Sequence, residues 1–106
     1  MIRKAVRMDV QPGKIDEYER RHNPIWPELH AALKEHGAHN YSIFYDKERN
    51  QLFAYLEIED EAKFAKLADL AVCHKWWKDM TELLVSDSPE ADKAREAELR
   101  EVFHID

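Results

Sequence analysis

The apolar positions of this chain change period repeatedly, and each change marks an element. From Ile2 to Val10 they alternate: Ile2, Val6, Met8 and Val10 fall on one side, Arg3, Arg7 and Asp9 on the other, with Lys4 as the exception on the apolar side. Alternation in steps of two predicts a half-buried strand, and Pro12-Gly13 ends it. From Lys14 the steps become three and four, through Ile15, Tyr18, His22, Ile25 or Trp26, Leu29 and Leu33, which is one helical stripe. Pro24 and Pro27 interrupt it. A proline pushes its predecessor out of the α region, so one helix is expected to end near His22, with Asn23 and Trp26 extended or turn-like. Pro27 then opens a second helix at a position where its missing N–H costs nothing, and Gly37 is placed to cap that helix in the left-handed region.

Ala38 to Tyr45 reads as a second strand, with Tyr41 and Ile43 facing one way and Ser42 and Phe44 the other, followed by a polar loop over Asp46–Asn50. Leu52 to Ile58 is the clearest strand: Leu52, Ala54, Leu56 and Ile58 alternate with Phe53, Tyr55 and Glu57. Both of its faces carry bulky apolar groups, so the side away from the domain's own core calls for a second layer, most economically another copy of the chain. Asp60 is a good N-cap for a helix over Glu61–Ala68 that buries Phe64 and Leu67. A further helix runs over Val72–Leu84 on Cys73, Trp76, Trp77, Met80, Leu83 and Leu84. The charged stretch Val85–Arg95 is expected to be a loose excursion with at most a helical turn, and Leu99–Ile105 a closing strand. The order β-α-β-β-α-β predicts an α+β fold of the ferredoxin-like split type. It has one antiparallel sheet with helices on one face, and the other face is free to make a face-to-face dimer, a dimeric α/β barrel.

Length and charge narrow the partners. At 106 residues with 44% hydrophobic content the chain reads as a single folded domain spanning residues 1–106. A net charge of −6 argues against nucleic acid or an anionic membrane, both of which need a basic stripe. No apolar run approaches the ~20 residues that span a bilayer. The N-terminal residues place charges where a signal peptide needs an apolar core. Cys73 is the only cysteine, which excludes an intramolecular disulfide and suggests the cytoplasm.

Candidate chemistry centres on the proline break. Tyr18 and His22 are four apart, so a phenol and an imidazole share one helical face. The bland reading of His22 is a histidine at a helix C-terminus; the sharper one is a group that moves protons near neutral pH. Trp76 and Trp77 diverge by about 100° on a helix, so one suits the core and the other a pocket rim. Indole faces suit the C–H faces of sugars, and the indole N–H is a directional donor. Tyr41 is either sheet packing or a hydroxyl aimed at a polar ligand; Tyr45 and Tyr55 have nothing local to promote them. His36 and His39 have a ligand-like spacing, but the cap at Gly37 turns them apart and no further ligand set accompanies them, so no metal is expected. Nor is there a glycine-rich loop for a nucleotide. Cys73 beside His74 carries little weight as a nucleophilic pair, since consecutive helical residues diverge.

Four blocks together resemble the L-rhamnose mutarotase family: Arg20-Arg21-His22-Asn23-Pro24-Ile25-Trp26-Pro27-Glu28-Leu29, His36-Gly37-Ala38-His39-Asn40-Tyr41, Val72-Cys73 with Trp76-Trp77-Lys78, and Leu99 with Glu101-Val102-Phe103. The resemblance implies a dimeric ferredoxin-like α/β fold, no cofactor, and interconversion of the α and β anomers of L-rhamnose. It further implies that His22 is the proton donor and that Tyr18, Tyr41, Trp76 and Trp77 contact the sugar. We expect His22 to act as general acid at the ring oxygen, with a water or a tyrosine hydroxyl as the partner. The segment Thr81–Ala97 departs from the family in being more charged. An oxygenase of the dimeric α/β-barrel type, cofactor-free or with haem, and a non-catalytic sugar-binding module are the alternatives, and fold analogy alone does not choose among the three.

Overall fold

The computed structural model describes residues 1–106. Four strands, β1 (Ile2–Asp9), β2 (Ala38–Asp46), β3 (Gln51–Ile58) and β4 (Ala97–Leu99), make one antiparallel sheet in the order β2-β3-β1-β4. Between them lie α1 (Ile15–Arg21), α2 (Pro27–Glu35), α3 (Glu61–Ala65) with a following 3-10 turn over Lys66–Asp69, and α4 (Ala71–Met80). This is the β-α-β-β-α-β order and strand arrangement expected from the alternation of periods.

Register decides which side chains meet. Val6 pairs with Ala54 and Met8 with Leu52, while Arg7 pairs with Phe53 and Ala5 with Tyr55. The first set points into the layer of helices, where Met8, Leu52 and Ala54 join Tyr18, Leu29, Cys73, Trp76 and Met80 in the main core. Leu56, Ile58 and Ala38 form a smaller cluster under Leu33 and Phe64. The second set, with Phe44 and Leu99, lies on the face that no helix covers.

The turns have local causes. Trp26 is extended (φ −57°, ψ 131°) and Pro27 is the first residue of α2, while the Asn23–Pro24 bond is cis. Gly37 sits at φ +84° and its amide bonds Lys34. The positive φ favours glycine, and a Cβ there would lie 3.2 Å from the Glu59 side chain, a tight contact that Glu59 would have to yield to. Asp60 caps α3, its carboxylate accepting from the Lys63 amide.

Three expectations need correction. The last strand is not Leu99–Ile105 but Ala97–Leu99, because it pairs only with Ala5–Arg7 and the chain then leaves the sheet; Val102, Phe103 and Ile105 are exposed. α4 stops at Met80, where the Thr81 hydroxyl donates back to the Lys78 carbonyl. Leu83 and Leu84 stay buried through a turn that brings Leu84 beside Val10. The charged excursion has no helical turn and is tied down: the Arg95 amide donates to Val85, and its guanidinium pairs with Asp9 at 3.1 Å. No helix is long and apolar enough to cross a membrane.

Candidate active site

The end of α1 builds the first wall. Its last carbonyls lack intrahelical donors, and two side chains supply them: His22 Nδ1 meets the Tyr18 carbonyl at 2.7 Å, and Asn23 Nδ2 donates to Glu19 at 2.9 Å. A carbonyl only accepts, so the hydrogen of the first contact sits on Nδ1. The bond also fixes the imidazole in place, tilted over the Tyr18 ring with centroids 4.1 Å apart. Helix capping and a catalytic placement of His22 are therefore compatible. His36 makes the same contact with Ala32 at 2.7 Å, so the cap by itself is not what distinguishes His22.

α4 supplies the second wall. Trp76 is buried and makes T-shaped contacts with both His22 and Trp26, with centroids 5.0 Å away in each case. Trp77 is half-buried, with Lys93 Nζ 4.6 Å from its ring centre. One indole goes to the core and one to the rim, as their divergence on a helix requires. The two walls are clamped by Arg21, whose guanidinium reaches Glu17 at 2.7 Å, Asp79 at 3.1 Å and Glu82 at 2.9 Å. These guanidinium contacts hold the Glu17 carboxylate down to about 2, with Arg20 making the larger contribution.

The floor comes from β2. Its pairing with β3 shifts between His39 and Ser42, and Asn40 there adopts φ +48°. Such a bulge re-aims the next side chain, and Tyr41 lines the space under the helices together with Ile43. Two adjoining clefts of about 480 and 530 Å³ result, within the range of small-molecule sites. Tyr18, His22, Leu29, Tyr41, Ile43 and Trp76 border both, and Trp77 borders the second. All five site residues singled out in the sequence thus meet around one space.

Lys93, Ala94 and Glu96 also line the second cleft, and sequence reasoning missed them. They belong to the charged segment that packs back over Trp77, and no period or motif marks them. Burial depresses the basicity of His22 and raises both phenols, Tyr41 to about 12, with the Glu96 charge adding to the shift of each. Tyr41 keeps 47% of its surface accessible and lines the cleft. The other candidates are engaged elsewhere. His39 pairs with Glu59, His74 Nε2 contacts the Ala68 carbonyl, and Cys73 is buried with its thiol pKa pushed up. No group of three or more His, Cys, Asp or Glu side chains is arranged to hold a metal ion. What the cleft offers is a pinned imidazole, two protonated phenols and indole surface.

A family model described as L-rhamnose mutarotase matches residues 3–105. Among named relatives, the L-rhamnose mutarotase of Oceanobacillus iheyensis is 55% identical, covering 100% of both chains, and that of Escherichia coli strain K12 is 51% identical, covering 99% of both. The crystal structure of an L-rhamnose mutarotase from Formosa agariphila superposes with a TM-score of 0.87 at 33% identity, covering 100% of both chains. With the match running along nearly its whole length, the chain belongs to the L-rhamnose mutarotase family.

Proposed function

We propose that this protein is an isomerase that interconverts the α and β anomers of L-rhamnose, with His22 as the residue that moves the proton and Tyr18, Tyr41, Trp76 and Trp77 as the sugar contacts. The observation that carries the reading is the convergence of Tyr18, His22, Tyr41 and Trp76 on shared cleft walls in a member of this family. Mutarotation asks only for proton transfers: the anomeric hydroxyl loses a proton, the ring oxygen gains one, the ring opens to the aldehyde, and reclosure on the other carbonyl face gives the other anomer. Each positioned acid or base contributes typically ~10²–10⁴-fold, a demand that side chains of this cleft can meet. Indole faces suit the apolar methyl side of a deoxy sugar, and the phenols suit its hydroxyls. Family membership disfavours the oxygenase and the non-catalytic binding module.

The same proposal includes a homodimer through the open sheet face. The accessible surface is 7349 Å², against roughly 6200 Å² for a self-contained monomer of this size, and Phe44 stands 65% exposed on that face. A reducing compartment, the cytoplasm, suits a chain whose one cysteine is buried and unpaired.

Saturation transfer between the anomeric proton resonances of L-rhamnose, with L-fucose and D-ribose alongside, tests the activity and its selectivity. The purified protein is expected to accelerate exchange in L-rhamnose, and His22→Asn to abolish most of that acceleration, ~10²-fold or more, with an unchanged circular dichroism spectrum. Equal exchange with and without the wild-type protein rejects the activity; exchange at the parent's rate in the variant rejects His22.

A further inference from the structure

Resting on that reading, we propose that His22 enters the ring-opening step as its base, taking the proton of the anomeric hydroxyl on Nε2, while the Tyr41 phenol donates to the ring oxygen. This reverses the role expected of His22 from the family resemblance.

The reason is the tautomer. Nδ1 lies 2.7 Å from the Tyr18 carbonyl oxygen, which has no hydrogen to offer, so Nδ1 carries one. A neutral imidazole has only one N–H, and Nε2 must then present its lone pair. Nε2 hydrogen-bonds no other protein group, and the ring borders both clefts. Adding a second proton there would create a cation in a largely apolar, aromatic setting without a hydrogen-bonded carboxylate. Burial accordingly lowers the pKa of His22, and the neutral ring is the form present at neutral pH.

The acid must come from a group that holds its proton. Tyr18 and Tyr41 both do, and neither phenol donates to another protein group. Tyr18 is 6% exposed and packs its ring against the imidazole, whereas Tyr41, from the β2 floor, is 47% exposed and borders the same clefts as His22. Two separate proton-transfer groups on one cleft are what the sugar needs when a proton leaves one oxygen and another arrives at its neighbour.

The step balances. The anomeric O–H gives its proton to Nε2 as O1 becomes the carbonyl oxygen. The C1–O5 bond breaks with its electron pair on O5, and O5 takes the Tyr41 proton. This leaves the open aldehyde with imidazolium and phenolate. After rotation about C1–C2, O5 attacks the other carbonyl face and returns its proton to the phenolate, and the imidazolium protonates O1. Nothing is consumed. His22 is thus a proton donor in reclosure and a base in opening.

The other titratable groups around His22 are Glu19 on α1, Cys73 on α4, and Lys93 and Glu96 from the C-terminal segment. Lys4 and Glu98 face each other at 4.0 Å on the second cleft, and Tyr45 donates to Asn50. None of them contacts the imidazole by a hydrogen bond or ion pair.

The test is the pH dependence of L-rhamnose anomer exchange, with the protein-free rate subtracted at each pH. A base predicts that the catalysed rate rises with pH through a midpoint below 6.5 and then holds until the phenol ionises toward about 12. A catalysed rate that falls as pH rises through that midpoint makes the imidazolium the acid and overturns the assignment. Tyr41→Phe is expected to lower the rate ~10²-fold; the parent's rate in that variant removes Tyr41 from the role. Nitrogen-15 spectra of the labelled protein read the tautomer without any turnover. A bare Nε2 at neutral pH supports the assignment, and a protonated Nε2 with a bare Nδ1 overturns it. A wild-type protein without catalysed exchange at any pH would instead sink the mutarotase reading itself.

Discussion

His22 and His36 carry the same cap bond to a carbonyl four residues back, at the same 2.7 Å, yet of the two only His22 borders the clefts. What separates them is therefore not the backbone geometry but the neighbours: His22 packs on the Tyr18 and Trp76 rings and shares its clefts with Tyr41. Burial among those rings has a stability consequence with a definite sign. The unfolded chain protonates this imidazole from about 6.5 downward, while the folded protein resists until a lower pH. The depressed pKa therefore costs stability as pH falls through the window just below 6.5, above the range in which carboxylates titrate. The urea midpoint of the wild type should drop between pH 7.5 and 5.5 by more than that of His22→Asn. Equal drops would mean that His22 titrates as if exposed. The Tyr18–His22 pairing was legible in the sequence, because residues four apart on a helix share a face. The hydrogen on Nδ1 was not, since it depends on a distance.

Between elements, the angle of α1 to α4 sets the distance from imidazole to indole, and Arg21 is the residue that ties the two helices. Its guanidinium fork spans Glu17 on α1, Asp79 at the end of α4 and Glu82 in the turn that follows, with only 22% of its side chain exposed. Arg21→Met keeps the aliphatic stem and removes the fork. It should lower urea stability by about 1 kcal/mol, the upper end for partly exposed pairs, and slow catalysed exchange severalfold while leaving the pH midpoint of the rate in place. A shifted midpoint would show that Arg21 acts on His22 electrostatically rather than by position. The helix boundaries around Pro24 and Pro27 were readable because proline constrains its neighbours whatever the surroundings. The ends of α4 and β4 were not: Leu83 and Leu84 continue an apolar pattern but bury through a turn, and the apolar Val102, Phe103 and Ile105 look like strand residues although β1 offers pairing only as far as Ala5–Arg7.

The whole molecule presents one sheet face without helices. Phe53, Tyr55 and Leu99 are half-buried on it and Phe44 is largely exposed, with the apolar tail beyond β4 adjoining. Specific interfaces bury about 800 Å² per partner, and a four-stranded face is large enough to supply that. The proposed homodimer predicts that the wild type sediments at twice the chain mass. Phe44→Glu, which places a charge on the β2 edge of that face without touching the helix-side core, should then yield a folded monomer. A wild type that sediments as a monomer at micromolar concentration removes the dimer from the proposal.

The sequence by itself determined the elements, their order and the fold class, because periodicity, prolines and glycines act over a few residues and need no partner. It also determined the family, since the blocks around His22, Tyr41 and Trp76-Trp77 stand in the chain regardless of how they meet. Only the tertiary structure decided that these blocks surround one cleft, that a bulge at Asn40 turns Tyr41 toward the helices, and that Lys93 folds back over Trp77 while Glu96 joins the cleft lining. It alone decided which nitrogen of His22 carries the hydrogen. Each of these rests on contacts between residues distant along the chain or on a single interatomic distance, and neither is written in the local pattern of side chains.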